Sequence, residues 1–359
     1  MNIAADELKA LLVEILQHGG SDADEAEVIA DHLIQANLRG HDSHGAMMIG
    51  WYMAWVQKGG LLPNTGAVKV KDEGSFLVFD GRRGFGQRTA REAITSGINR
   101  CRETGMAIVA LKDSGHIGRL GTYGELAAQA GLVSLHFANA LDSLLLVAPA
   151  GGKKPLFMTN PICFAMPETD NSPMIVMDYA TSSMAYGKAE VYMKRGLPVP
   201  PNSIVDSEGR PTTNPKVLFE EPYGSLLPFG GHKGYGLMIF CELLAGCLSG
   251  GGTVNTYDKN TVGTANNLLS ILIDPCRLVD KSHLQGLVDG LVSYTKACPP
   301  VIKDQPVLMP GDKERAILIQ RRREGIPIDD QSWAQILKAC QLVGLPPETA
   351  ETVVNRQNH

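Results

Sequence analysis

Several familiar signatures are missing from this chain. A dinucleotide fingerprint needs Gly-x-Gly-x-x-Gly between strand and helix, with an acidic residue about 20 positions further on. No stretch supplies it: Gly84-Phe85-Gly86 lacks the third glycine, and Gly234-Tyr235-Gly236 sits inside a helical pattern. Gly-x-x-x-x-Gly-Lys-Ser/Thr is also absent, which argues against P-loop chemistry. No apolar run reaches the roughly 18 residues that spanning a bilayer needs. The most apolar helix candidate, Leu237 to Leu248, is short and contains Glu242. Met1 to Gly19 is amphipathic, with Asp6, Glu7 and Glu14, and does not read as a signal peptide. The seven cysteines are scattered and never in Cys-x-x-Cys spacing, which argues for reduced thiols and against a zinc site. A formal charge of −5 offers no general attraction to nucleic acid or anionic membrane. The expectation is a cytoplasmic protein with neither nucleic acid nor membrane as partner.

What is present has an ordinary globular composition, 44% hydrophobic and 20% charged, in 359 residues that should form two or three domains. Leu8, Leu11, Leu12, Ile15 and Leu16 share one face of a helix over 4–18, and Ser21 is a candidate N-cap for a second helix. A third helix is predicted through Trp51, Tyr52 and Trp55, ending at Gly59-Gly60. The alternating runs 67–71 and 75–80 then read as a hairpin. A helix (89–103), a strand (106–111), a helix (122–130) and a strand (132–137) follow, an order that indicates an α/β layer. Short strands fit at 161–166 and 174–178, a buried helix at 233–248 and a strand at 268–274. Further helices are predicted near 281–296, 313–324, 331–342 and 347–355. The division expected is an N-terminal helical unit over 1–62, an α/β cofactor- and substrate-binding region over 63–312, and C-terminal helices over 313–359 packing back on the N-terminal unit.

The densest polar stretch is Lys112 to Tyr123, where Asp113, Ser114, His116, Arg119 and Tyr123 crowd among Gly115, Gly118 and Gly121. A Gly-rich loop after a strand is where open α/β sheets hold ligands, though an ordinary strand-to-helix turn reads the same way. His116 can carry a proton near neutral pH and Arg119 can grip a carboxylate. In His41-Asp42-Ser43-His44-Gly45, three readings stand: two metal ligands three apart, a helix-terminus histidine, or His44 as acid or base tuned by Ser43. No third metal ligand is evident nearby. Asp178 either N-caps the next helix or holds His44 or a ribose hydroxyl. Gly230 to Gly234 opens a helix, so its amides and Lys233 can receive a phosphate. Pro310-Gly311-Asp312-Lys313 is a weaker copy of that logic. Arg321-Arg322-Arg323 reads as a solvated helix face, with a 2′-phosphate site as the alternative.

Taken in order, Asp42-Ser43-His44-Gly45, Gly115-His116-Ile117-Gly118, Thr159-Asn160-Pro161, Asp178-Tyr179-Ala180-Thr181-Ser182, Thr212-Thr213-Asn214-Pro215 and Lys233-Gly234-Tyr235-Gly236-Leu237 resemble the type 2 malate/L-lactate dehydrogenases, also called sulfolactate-dehydrogenase-like oxidoreductases. That resemblance implies an α/β, non-Rossmann, mixed-sheet nicotinamide-binding fold with a split helical domain, and a homodimer sharing its active site. It implies NAD (or NADP) as cofactor, no metal, and reversible hydride transfer to a 2-oxo acid or a cyclic imino acid such as Δ1-piperideine-2-carboxylate. Carried over by position, His44 and His116 are the proton donor or acceptor, supported by Ser43 and Asp178. Asn139, Thr159, Asn160, Asp178, Tyr179, Ala180, His232, Lys233, Gly311, Asp312 and Lys313 fall on stretches that contact the dinucleotide. Many relatives have an arginine four residues after His44, where it pairs with the substrate carboxylate; this chain has Met48. The substrate contacts then expected are Met48, Tyr52 and Arg119, with Arg119 replacing the missing arginine and Met48 facing an apolar or aromatic substituent. A metal-dependent hydrolase using His41, His44 and His116 is the alternative from another class.

Overall fold

The computed structural model describes residues 1–346 and 348–350, so the helix expected over 347–355 lies largely outside the described residues. The helices are α1 (Ala5–His18), α2 (Ala23–Leu38), α3 (Ile49–Gln57), α4 (Gly86–Thr104) and α5 (Gly121–Gln129). They continue with α6 (Tyr186–Lys194), α7 (His232–Cys241), α8 (Lys281–Lys296), α9 (Asp312–Glu324) and α10 (Asp330–Leu342). One sheet has seven strands: β1 (Val68–Glu73), β2 (Phe76–Asp80), β3 (Met106–Gly115), β4 (Val133–Leu141), β5 (Ile162–Met166), β6 (Ile175–Tyr179) and β7 (Ala265–Ile273).

The leucines and isoleucines of α1 recur at helical spacing and all face inward, against α2. Asp22, not Ser21, caps α2: its carboxylate accepts from Glu25 N, while the Ser21 hydroxyl donates to Glu25 Oε2 at 2.8 Å. Ile336, Ala339 and Cys340 of α10 bury in the same core as Leu8, Leu12, Ile29, Leu33 and Tyr52. The chain's ends are further joined by Asn2–Ile3, which pairs antiparallel with Ile326–Pro327.

The sheet order is β1-β2-β3-β7-β4-β5-β6, and only β2 and β3 run parallel. The strand-helix-strand-helix-strand run from β2 to β4 is present, but β7 inserts antiparallel between β3 and β4. Such an arrival from far along the chain leaves no mark in local periodicity. β3 also runs further than the apolar stretch that announces it, through Lys112 to Gly115, because β7 pairs with it to its end. The helix expected over 233–248 changes at Glu242 to a π-helical turn, Glu242–Cys247, and it is not wholly buried: Phe240, Leu243 and Leu248 face out. No helix among the described residues is long and apolar enough to cross a membrane.

Two fully enclosed histidines make the fold acid-sensitive. His136 bonds Ser270 and Ser134 through its two ring nitrogens, and His32 Nε2 accepts from Arg119 N. Burial holds both near a pKa of about 3, below the ordinary 6.5. A lowered pKa means the unfolded chain binds the proton first, so stability is full above 6.5 and falls as pH drops from there toward 3. Thermal melts should therefore be flat from about pH 7 to 8 and shift downward steadily below pH 6.5.

Candidate active site

His116 follows the end of β3, and the central strand β7 fixes the loop that carries it. Asn267 Oδ1 accepts from Asp113 N at 2.9 Å, and Asn266 Oδ1 accepts from Ile117 N at 3.0 Å. Gly86, opening α4, lets this loop close: a Cβ there would lie 2.4 Å from the Gly115 and His116 carbonyl oxygens. His44 ends the short 3-10 turn Asp42–His44 between α2 and α3. The two imidazoles stack, ring centroids 5.6 Å apart and planes 18° from parallel. Ser43 Oγ lies 3.1 Å from His44 Nδ1. On the other side, Tyr52 Oη of α3 lies 2.8 Å from His116 Nδ1.

Burial dominates the electrostatics. It lowers His44 to about 4, with Arg119 adding to the shift, and lowers His116 to about 3, with His44 adding. Both rings are neutral near pH 7, yet two imidazoles this close to an anionic substrate gain a reason to hold a proton. The pair can therefore exchange a proton with a bound carbonyl or hydroxyl oxygen.

Tyr52 is only 1% exposed, and its hydroxyl meets His116 rather than the surface. Gln87, which the sequence did not single out, donates from Nε2 to Tyr52 Oη at 2.7 Å. Its position in the first turn of a helix of ordinary composition carries no local signal.

Arg119 is placed differently from expectation. Only 3% exposed, it bonds Glu125 Oε1 at 2.9 Å and lies 3.7 Å from Asp178 Oδ2. Arg39 binds the same Glu125 oxygen at 2.9 Å. The guanidinium belongs to an internal ion cluster, with Nε and Nη1 left without a hydrogen-bond partner. Asp178 does not hold His44; its carboxylate accepts from Gly121 N at 2.7 Å, at the N-terminus of α5, where a negative charge is favoured. Burial raises the Asp178 pKa, against the pull of Arg119 and the Gly121 amide. Arg119, Asp178, Gly311 and Glu314 border one cavity of about 210 Å³, so the start of α9 does meet the end of β6.

Asn139 and Asn160, expected at the dinucleotide, are fully buried and their amides are used up inside the protein. Asn139 Nδ2 donates to Glu242 Oε2 at 3.1 Å and Asn160 Nδ2 to Glu242 Oε1 at 2.7 Å. The pair thus shields a buried carboxylate, and Thr159 adds its carbonyl as acceptor for Thr181 N. Tyr179 and Ala180 are half-buried, and the Tyr179 ring meets Phe229 edge-on at 5.3 Å. Phe229 leads into Gly230-Gly231 and the exposed His232 and Lys233 at the start of α7. Asp312 accepts from Met309 N and pairs with Lys296 and Arg315, while Lys313 is exposed. Met48 is half-buried against the helical core. Among the described residues no group of three or more His, Cys, Asp or Glu is arranged to hold a metal ion.

Only some of the basic run is solvated. Arg321 turns inward and grips Asp42 through both terminal nitrogens, with the Asn37 carbonyl as a further acceptor. Asp42 also accepts from Asn37 Nδ2 at 2.7 Å, so the turn bearing Ser43 and His44 is fixed from two sides. Arg321→Met is expected to lower kcat, by up to about 10²-fold if His44 moves by an ångström, with a smaller change in KM. Steady-state kinetics beside a circular dichroism spectrum would check it; an unchanged kcat would remove Arg321 from the positioning of His44.

The sequence profile of the malate/L-lactate dehydrogenase family matches residues 3–337. Hydroxycarboxylate dehydrogenase B of Escherichia coli (strain K12) is 42% identical over 349 residues, which is 97% of this chain and 96% of that one. The structure of sulfolactate dehydrogenase from Methanocaldococcus jannaschii superposes with a TM-score of 0.87 at 29% identity, covering 97% of this chain and 99% of the other. That of Δ1-piperideine-2-carboxylate reductase from Pseudomonas syringae pvar. tomato gives 0.80 at 29% identity, covering 94% and 99%. With the profile matching nearly the whole length and a mixed α/β fold shared from end to end, the chain belongs to the malate/L-lactate dehydrogenase family of oxidoreductases.

Proposed function

We propose that this protein is a cytoplasmic, NAD(P)H-dependent 2-oxo acid reductase, working reversibly as a 2-hydroxy acid dehydrogenase, with a preference for aromatic or apolar side chains. The observation that carries the reading is the stacked His44–His116 pair, each ring held at one nitrogen by a hydroxyl, in a chain of this family. The nicotinamide, when bound, supplies the hydride. NAD is the cofactor proposed, with NADP as the alternative. The fit is supported by Arg119, whose Nε and Nη1 are buried without a hydrogen-bond partner beside the cavity that Asp178 and Gly311 also border. Donors and a carboxylate on one wall suit the phosphates and ribose hydroxyls of a dinucleotide. A largely antiparallel sheet supports binding without a Rossmann unit, and the shared core of α1, α2, α3 and α10 supports a split helical domain around an α/β region. A homodimer is the proposed working unit. Leu287, Leu291 and Tyr294 stand exposed along α8, more apolar surface than one helix of a monomer usually shows to water.

The residues of the chain bind, orient and move the proton. His44 and His116 bracket the oxygen of the 2-oxo group, and one of them gives it a proton as the carbonyl carbon is reduced. Met48 supports the apolar preference. A second carboxylate facing a thioether would lose water without gaining a partner, whereas an aromatic side chain gains roughly 25 cal/mol per Å² buried. Wild-type protein should therefore reduce phenylpyruvate with a higher kcat/KM than oxaloacetate, and Met48→Arg should shift the ratio toward the dicarboxylate. Equal or better use of oxaloacetate by the wild type would refute the pocket. The similarity to Δ1-piperideine-2-carboxylate reductase favours a second reading, reduction of a cyclic imino acid, which the same assay distinguishes with the imine as substrate.

A further inference from the structure

Three side chains form a line that ends on His116, and their donors can be counted. Gln87 and Tyr52 are each 1% exposed. Gln87 Nε2 lies 2.7 Å from Tyr52 Oη, which lies 2.8 Å from His116 Nδ1. An amide nitrogen only donates, so the Tyr52 oxygen accepts from Gln87, and among the described residues its single hydrogen meets no acceptor but His116 Nδ1. Nδ1 then accepts, and a neutral imidazole accepting at Nδ1 carries its proton on Nε2. We propose that Gln87 and Tyr52 are positioning residues that set the tautomer of His116, holding its proton on Nε2 in the resting site and moving it to Nδ1 when the Gln87 amide turns over.

The second orientation follows from an atom left unused in the first. Gln87 Oε1 is buried with no hydrogen-bond partner, an arrangement that is costly to leave standing. A doubly protonated His116 needs an acceptor at Nδ1, and the Tyr52 oxygen serves only if its own hydrogen points elsewhere. Rotating the Gln87 amide brings Oε1 to that hydrogen. In the reductive direction the Nε2–H bond breaks and the O–H bond of the 2-hydroxy acid forms. The nitrogen keeps the bonding electron pair, the remaining proton stays on Nδ1, and water supplies the next proton. Nε2 is then bare and ready to accept from a 2-hydroxy acid in the reverse direction. The turned amide thus serves both directions of the reaction, and the resting one holds His116 in the tautomer whose Nε2 is already occupied.

This inference rests on the reductase reading but is measured apart from it. The groups facing His116 are His44 in the stack, Tyr52 and His32, with Arg119 acting on both neighbouring histidines. All of them stay in place in the Gln87 variants. Nitrogen-15 NMR of the free protein near neutral pH, with the His116 signals identified by their loss in His116→Gln, reads which nitrogen is protonated. The wild type should show the proton on Nε2. Gln87→Glu introduces a group that only accepts, so it should draw the Tyr52 hydrogen and place the His116 proton on Nδ1. The alkaline limb of kcat/KM for reduction, where His116 loses the proton it must give, should then move up by about one pH unit or more. Gln87→Met should keep the Nε2 proton and lower kcat while KM for the 2-oxo acid stays the same. If Gln87→Glu does not fold, Tyr52→Phe should give a mixture of both tautomers. A wild-type proton on Nδ1, or an Nε2 proton that stays in place in both Gln87→Glu and Tyr52→Phe, overturns the proposal. Failure of the protein to reduce any 2-oxo acid overturns the reductase reading instead and leaves the tautomer assignment to the spectrum.

Discussion

His116→Gln is expected to lower turnover by about 10²–10⁴-fold while leaving the melting transition where it is. Hydride delivery to a carbonyl carbon leaves negative charge on oxygen, and an unassisted alkoxide is a poor product. His116 is placed to relieve it: half-buried, stacked on His44 and held at Nδ1 by Tyr52. Glutamine fills similar space and keeps a hydrogen bond to the phenol, but carries no proton it can give up. His44→Gln should behave alike, since Ser43 fixes that ring in the same manner. Comparing the two kcat losses identifies which ring delivers the proton. Activity like the wild type in either variant removes that residue from the mechanism.

Arg119→Met is expected to cost far more stability than a surface change, about 3–5 kcal/mol. The guanidinium is the positive centre of a cluster holding Glu125 and Asp178, and its side chain is 2% exposed. Methionine matches its stem but leaves two carboxylates facing each other out of water, with only Arg39 on Glu125 as compensation. The sign of the pH dependence follows from Asp178. Its pKa already stands above the ordinary 3.8 because of burial, with Arg119 pulling it down. Without the arginine it rises further. A raised carboxyl pKa favours the folded state while the group is protonated, and that advantage is lost as pH climbs through the folded value. The gap in Tm between variant and wild type should therefore narrow as pH is lowered from 7 toward 5. A small gap that does not change with pH would mean the cluster contributes little.

How much could be read from the sequence depends on the range of the forces involved. Helices α1, α2 and α10 announce themselves because one face of each is apolar at regular spacing. The His44 and His116 clusters stand out because glycine and short polar residues crowd around a histidine. What escaped reading was set by distant partners. Gln87 matters through Tyr52, 35 residues before it in the chain, and Arg321 through Asp42, 279 residues away. Asn139 and Asn160 resemble ligand contacts in sequence, yet a buried Glu242 from a remote helix claims both amides. Arg119 misled for the same reason: its three-residue distance from His116 says nothing of Glu125 and Asp178, which neutralise it. Burial of charge is a tertiary property, and local pattern does not carry it.

The most direct test of the account is the oxidation of NADH by the purified protein with phenylpyruvate, pyruvate and oxaloacetate in turn, with and without EDTA. The account predicts NADH consumption that requires a 2-oxo acid, is greatest with phenylpyruvate and is unaffected by the chelator. No consumption of NADH or NADPH with any of these acids, or activity abolished by EDTA, would contradict it.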